Sequence, residues 1–413
     1  MNKLSLLAIA ALIAAPAFAD TTSDVVSENK ENTQPESEFM SDERTEEGFI
    51  THYINNAIAS GMQQADLQAE VEYGRKVTSY VSAPKFGGYF IGKYAATSQD
   101  GKHSGDGFTQ RLIRFYVDGT ILNDFAYRIQ IQTNNASFHM KDFFVEWKKY
   151  AEFKVKIGQY KRAFGLENPM NPWDVGVGDY SQLTKKLTGH SDFIGAENTS
   201  NGGRDQGIQI QGDLFPAASD GHRFVHYQLM VSNGQGINTA DANSQKDITG
   251  TIQIQPIKGL FVGAYGWTGN FTSGNVTVDR NRYLLFAKYD ANDWSFRTEF
   301  AHSTGHKISD YVAEQTSDGM ATVYTPAYFK GTGRADAWYA TVGIPCTPWL
   351  KTWLKYDAYR DNGQWNSNKS IYSICPVINL HKNLMFQPQF NYVHENASKS
   401  SYTEFWLETY VRF

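Results

Sequence analysis

The chain has 413 residues, 41% hydrophobic and 14% aromatic, with a formal net charge of −5 and a mean hydropathy of −0.47. A polytopic helical membrane protein needs repeated apolar runs of roughly 20 residues, and only the first twenty residues hold a long one, so that class is excluded. The 26 Phe, 24 Tyr and 9 Trp exclude disorder throughout and, with 35 Gly, point to β structure, while two Cys cannot build a disulfide framework.

In chain order, Lys3 precedes an apolar stretch from Leu4 to Ala15, then Pro16 and Ala17-Phe18-Ala19. This is the pattern of a signal peptide, residues 1–19, cleaved after Ala19; the run is too short for a membrane anchor. Residues 20–48 hold ten acids against Lys30 and Arg44, a net −8, and read as a disordered acidic tail. With Lys3 set aside, residues 49–413 are left at +2. Within 49–84, Ile50, Tyr53, Ile54, Ala57, Ile58, Met62, Ala65 and Leu67 recur near helical spacing, which predicts a short helix in a periplasmic N-terminal extension.

From Lys85 the period changes to two. Phe125, Tyr127, Ile129 and Ile131 alternate with Ala126, Arg128, Gln130 and Gln132; Phe405, Leu407, Val411 and Phe413 alternate with Glu404, Trp406, Glu408 and Arg412. Sixteen such segments begin near Phe86, Gln110, Phe125, Phe138, Phe153, Gly207, Val225, Ile248, Leu260, Arg282, Trp294, Ala335, Leu350, Ser370, Met385 and Tyr402. Tight connections (149–151, 258–259, 291–293, 347–348, 381–382) alternate with longer polar ones (96–107, 163–203, 233–246, 268–279, 303–333, 361–368, 394–400). The expected fold is all-β, a 16-stranded antiparallel transmembrane β-barrel over 85–413, with short periplasmic turns, longer outer loops, an apolar lipid face and a polar lumen. A secreted soluble sheet with one buried face shows the same alternation. Pro256, Pro345, Pro376 and Pro388 fall in or near strands, where bulges or strand ends are expected.

Lys156-Ile-Gly-Gln-Tyr-Lys-Arg-Ala-Phe-Gly-Leu-Glu167, Arg204-Asp-Gln-Gly-Ile-Gln-Ile-Gln-Gly212, Asn123-Asp124 before Phe125-Ala-Tyr-Arg-Ile-Gln, and Tyr402 to Phe413 resemble the phosphate-selective porin O/P family in its Bacteroidetes-type form. The resemblance covers roughly 85–413. It implies a trimeric porin set in outer-membrane lipid of a Gram-negative bacterium, with phosphate among its possible solutes.

Enzyme signatures are missing: there is no G-x-S-x-G elbow, P-loop or G-x-G-x-x-G. His222 and His226 lie too far apart on a strand to share a metal, and His302 and His306 have no carboxylate or Cys beside them to complete a ligand set. No catalytic residue, metal, cofactor or nucleic-acid partner is expected. Cys346 and Cys375 fall two strands apart and read as free thiols.

The connection 163–203 is the third outer loop and is long for a segment without strand pattern, which marks it as functional. It is expected to fold inward as a constriction, with Glu167, Trp173, Asp174, Lys185 and Lys186 as candidate residues and Arg162 just before it. The alternative is a surface loop at the trimer rim. By register the candidate lumen residues are Arg114, Tyr116, Arg128, Asp142, Glu146, Lys148, Lys154, Lys156, Arg297, Glu299, Lys351 and Lys355. The expected function is a passive outer-membrane channel for small hydrophilic solutes. A basic wall near segments 2 to 5 leans towards anions, and the acidic third loop leans the other way; the alternative is that these lumen charges pair with one another and only solvate the lumen. The competing reading is a secreted or surface-attached glycan-binding or glycan-cleaving β protein.

Overall fold

The computed structural model describes residues 82–101, 106–134, 137–192, 202–274, 276–305, 311–315, 322–326, 333–361, 366 and 368–413. The signal peptide, the acidic tail and the helix expected before residue 82 lie outside the described residues. The described chain falls into two compact units. The smaller includes 82–85 and 119–126, where the Ser82 N–H donates to the Thr120 carbonyl at 2.9 Å and Leu122 and Asn123 take positive φ to make a tight turn. The larger, 86–118 with 127–413, carries the barrel wall and the structure inside it.

The strands in chain order are β1 Lys85–Thr97, β2 Gly107–Ile121, β3 Phe125–Asn134, β4 Ser137–Trp147, β5 Lys154–Lys161, β6 Arg204–Pro216, β7 Arg223–Ser232, β8 Asp247–Ile257 and β9 Leu260–Ser273. They continue with β10 Val276–Ala291, β11 Trp294–Thr304, β12 Tyr311–Gln315, β13 Thr322–Pro326, β14 Arg334–Thr347, β15 Leu350–Arg360, β16 Lys369–His381, β17 Leu384–Glu395 and β18 Ser400–Arg412. Sixteen of them close a barrel in chain order, with β11 beside β14 and β1 paired to β18 from Tyr89↔Arg412 to Thr97↔Glu404. Every segment expected to be a strand is one.

Two connections differ from expectation. The stretch 303–333 contains the separate hairpin β12–β13, whose strands of five residues are too short to show a period. The stretch 268–279 is almost entirely strand, because β9 and β10 pair up to Ser273 and Val276. There the outer face carries polar cross-strand pairs: Thr268 donates to Asn281 at 2.7 Å, Asn270 to Asp279 at 2.6 Å, and Thr272 meets Thr277 at 2.9 Å. Such pairs support a ladder as well as apolar ones do, and they read as loop in a sequence. Register shifts fall beside Pro256 and at Pro345.

Alternation sorts the two wall faces. Phe115, Ile129, Phe143, Ile157, Ile208, Ile252, Leu285, Phe300, Leu354, Ile374, Phe390 and Leu407 are exposed on the outside. Trp338, Tyr356, Tyr372 and Tyr392 form a chain of ring contacts across β14 to β17, with centroids 5.2, 5.0 and 6.2 Å apart. The inward positions are mixed. Arg114, Gln130, Asp142 and Gln209 are polar, but Leu284, Phe286, Ala301, Ala337 and Tyr339 form a buried apolar patch.

Candidate functional site

That inner patch is covered by the connection after β5. Phe164, Leu166, Leu183 and Leu187 of the connection cluster with Tyr265, Trp267, Leu284, Phe286 and Tyr339 of the wall. Val175 and Val177 cluster with Trp353, Cys375, Val377, Met385 and Tyr410. Each such side chain contributes about 1.5–3 kcal/mol on burial, so the segment is held inside the barrel by two small cores. Gly176, at φ 85°, passes so close to the wall that a Cβ there would lie 2.3 Å from the Trp353 indole.

Local sequence shapes the segment. Pro172 opens a 3-10 turn, Pro172–Asp174, using a position that has no N–H to satisfy. Ser181 caps the short helix α1, Gln182–Leu187, by accepting from the Thr184 N–H at 3.2 Å. Several backbone donors of the segment are met by acidic and amide side chains of the wall. Glu299 on β11 accepts from the Leu166 N–H at 2.6 Å, Asp357 on β15 from Gln182 at 2.8 Å, and Gln389 on β17 from Gly178 at 2.6 Å. Glu167 turns back to accept from Ser181 at 2.8 Å and lies 3.5 Å from the Lys355 ammonium. Burial alone would raise the Glu167 pKa; Lys355, Arg297 and the Ser181 N–H outweigh it and hold the carboxyl below its usual range. Burial is likewise outweighed at Asp179, which Lys185 and Arg111 keep ionised well below the usual carboxylate range.

Facing the segment are cations of β2, β4, β5 and β6. Arg111 pairs with Glu408 at 2.7 Å and Asp179 at 3.1 Å. Arg204 forms a fork on Asp142 at 2.7 and 2.9 Å. Arg114 instead donates to the Gln132 amide oxygen at 2.8 Å and to the Tyr89 hydroxyl at 2.6 Å. Lys161 donates to the Met170 carbonyl at 2.8 Å and reaches the Tyr180 hydroxyl at 3.4 Å. Among the described residues, Arg114 and Lys161 therefore make no hydrogen bond or ion pair with a carboxylate, and Arg114, a guanidinium, keeps its charge.

The other expected residues fall as follows. Arg128 is cancelled by Asp118 through bonds of 2.7 and 2.6 Å and lies 5.2 Å from the Tyr116 ring. Glu146 pairs with Lys156 at 3.5 Å, and Lys154 with Asp213 at 2.7 Å. Arg162 is buried on Asp205 at 2.8 Å. Arg297 lies over the Trp353 ring and donates to the Val175 carbonyl; Lys351 donates to Ser295 at 2.9 Å. Trp173 meets Tyr410 edge-on at 5.7 Å beneath Arg412. Lys185 pairs with Asp179, Lys186 is half-buried and Asp174 is exposed. Lys148 lies past the end of β4, exposed in the turn, because the strand stops at Trp147. Of the two His pairs, His222 binds Asp220, His226 binds Asp213 and His302 binds Asp336; His306 lies outside the described residues.

Arg111, Lys141, Lys161 and Arg204 were missed by sequence reasoning, although Lys161 and Arg204 stand in the segments that carry the family resemblance. Also missed were Arg280 and Arg282, which with Arg162 surround the Trp267 ring at 4.3, 4.8 and 4.8 Å. Their carboxylates are Asp247, Asp192 and Asp205, and Arg282 also donates to the Leu187 carbonyl at 2.8 Å. This cluster ties the far end of the inward segment to β10. Its signal is Arg280 and Arg282 two apart on one strand face.

No protein-family model matches the chain, and no curated protein matches it. Solved structures do. The anion-selective porin from Comamonas acidovorans is similar with a TM-score of 0.57 at 14% identity, over 81% of this chain and 100% of that one. OmpF of Salmonella typhi, solved with daunomycin, is similar at 0.56 and 13%, over 80% and 97%. The outer-membrane channel DcaP of Acinetobacter baumannii is similar at 0.53 and 13%, over 81% and 98%. At these identities the likeness is one of fold: a closed sixteen-stranded barrel of the kind porins have.

Proposed function

We propose that the protein is an outer-membrane porin, a passive diffusion channel for small hydrophilic solutes, narrowed by the connection 163–203 and preferring anions. The observation that carries this reading is the inward segment lying opposite Arg114, a guanidinium bonded only to neutral groups. A low-dielectric passage lined by unneutralised positive charge admits anions more readily than cations. The exposed Ile, Phe and Leu of the outer wall suit lipid and do not suit a secreted soluble sheet, and a closed barrel leaves no unpaired edge in the membrane. The porin-type fold supports the same reading. The sequence resemblance to the phosphate-selective O/P family supports phosphate among the solutes and a homotrimer. Residues 1–19 act as the export signal in this reading, 20–48 as an acidic tail and 49–84 as a periplasmic extension.

The test is a planar bilayer holding the detergent-purified protein in a potassium chloride gradient. The reversal potential should carry the sign of chloride permeability; the opposite sign would overturn the anion preference, and absence of conductance would overturn the channel. Glu299→Ala, which removes the acceptor of the Leu166 and Glu167 N–H groups, should leave buried N–H groups unmet at a cost of about 1–3 kcal/mol and raise conductance or open-channel noise. Unchanged conductance and noise would place the narrowest point elsewhere.

A further inference from the structure

The inner wall near the short-turn rim holds a pocket to which no described residue of the inward segment contributes. Two rows of paired positions build it: Lys154↔Gln211↔Gln228↔Thr251, and Asp213↔His226↔Gln253↔Gly263. A cavity of about 310 Å³ opens among Lys154, Gln211, Asp213, His226, Gln253 and Phe261. That volume lies at the small end of the ~300–1,000 Å³ range of ligand sites.

Its charges are spent within the wall. Lys154 takes one Asp213 oxygen at 2.7 Å and His226 Nδ1 the other at 2.7 Å. What remains on offer is neutral. The Gln253 amide has no hydrogen-bond partner among the described residues. Gln228 donates to Gln211 only at 3.4 Å, which leaves its own amide oxygen open. Phe261 adds an apolar ring face, with its centroid 5.4 Å from the His226 ring.

An amide presents a donor and an acceptor side by side, and so does each hydroxyl of a sugar. A sugar ring also has a C–H face that packs on an aromatic ring. A phosphate or carboxylate gains little here, because the ammonium of Lys154 is already paired. We propose that this patch is a subsite for an uncharged, hydroxyl-rich solute of hexose size, giving the channel a neutral station on its short-turn side, apart from the cations that face the inward segment. The proposal rests on the channel reading.

The experiment uses the full-length protein in a planar bilayer, with D-glucose added to the short-turn side in potassium chloride. The ionic current should fall along a saturable curve in the millimolar range. Gln253→Ala, and separately Phe261→Leu, which keeps apolar volume but removes the ring face, should each raise the half-saturating concentration about five-fold, the size expected for one lost net interaction. Conductance in potassium chloride alone should stay at the unsubstituted level in both, because the constriction is elsewhere. A current that falls only linearly, as viscosity requires, or half-saturation unmoved in both variants would overturn the subsite while leaving the channel intact. Absence of current before any sugar is added would instead overturn the channel reading, and the subsite with it.

Discussion

Pro376 on β16 stands directly opposite Pro388 on β17: the ladder between these strands stops at Ile374↔Phe390 and resumes at Ile378↔Phe386, while each proline stays paired to its other neighbour, Thr352 or Leu407. Each lacks the N–H that the other's carbonyl would accept, so one gap absorbs two prolines that would otherwise interrupt two ladders. In a lipid-facing wall an unmet backbone group costs several kcal/mol, whereas replacing a proline forfeits only about 0.4–1 kcal/mol through the unfolded chain. The double variant Pro376→Val with Pro388→Val should therefore raise the temperature at which the barrel unfolds in SDS, and each single variant should raise it less. A double variant that unfolds no later than the parent would show that the gap is satisfied some other way.

Gly88 and Phe413 exchange backbone hydrogen bonds of 3.1 Å in each direction at the seam that closes the barrel. The Phe413 ring packs 5.8 Å from Phe115, and a Cβ on Gly88 would lie 2.6 Å from both the Arg114 carbonyl oxygen and the Phe413 ring. Deleting Phe413 removes both bonds and the ring contact, and Gly88→Ala forces the backbone of β2 aside. Both changes should lower the amount of heat-modifiable, folded protein while export across the inner membrane continues. Parental levels of folded barrel in both variants would show that the seam tolerates an open end.

The strands were legible because one face is apolar and the other polar over sixteen segments, and the outer residues from Phe115 to Leu407 kept that register. The inner apolar patch was not legible. On β10 the run Tyr283-Leu284-Leu285-Phe286 is apolar at every position, and a period of two cannot say which members point inward. The inward course of residues 163–192 was suggested by the length of the connection, but its anchors are remote in sequence: Glu299 lies 133 residues from Leu166 and Gln389 lies 211 from Gly178. The same distance hid the pairing of Arg204 with Asp142. Arg128 and Asp118, only ten apart on adjoining strands, could have been paired in advance.

His190 in the inward segment lies with Nε2 3.0 Å from the Asn168 side-chain oxygen and its ring 5.0 Å from Tyr180. Burial, then Lys161 and Arg204, hold its pKa well below the usual imidazole value against the opposing pull of Asp179. The folded chain thus keeps His190 neutral at pH values where an unfolded chain has begun to bind the proton. Its contribution to stability is complete above about pH 6.5, the unfolded value, and is lost as pH falls below that towards the depressed folded pKa. The unfolding temperature should drop between pH 7.5 and pH 5, and His190→Gln, which preserves a donor to Asn168, should flatten that part of the drop. An equal drop in the variant would assign the effect to other groups.

Arg114 and Arg128 separate a free charge from a cancelled one on neighbouring strands. Arg128 is held in a two-bond fork by Asp118, so the pair presents almost no net field to a passing ion. Arg114 bonds only to Gln132 and Tyr89 and keeps its full charge on the wall opposite the inward segment. Arg114→Gln should move the reversal potential towards cation permeability, most strongly at low salt, where the screening length lengthens from ~10 Å at 0.1 M to ~30 Å at 0.01 M. Arg128→Gln strands Asp118 as an unpaired carboxylate. It should therefore also shift selectivity towards cations, by removing a pair rather than a free charge, and Arg128→Gln with Asp118→Asn should restore the parental value. Arg114→Gln has no such partner change to restore it. If the single Arg114 variant inserts normally and leaves the reversal potential unmoved at both salt concentrations, ions do not pass near that guanidinium, and the anion preference must arise from other residues of the lumen.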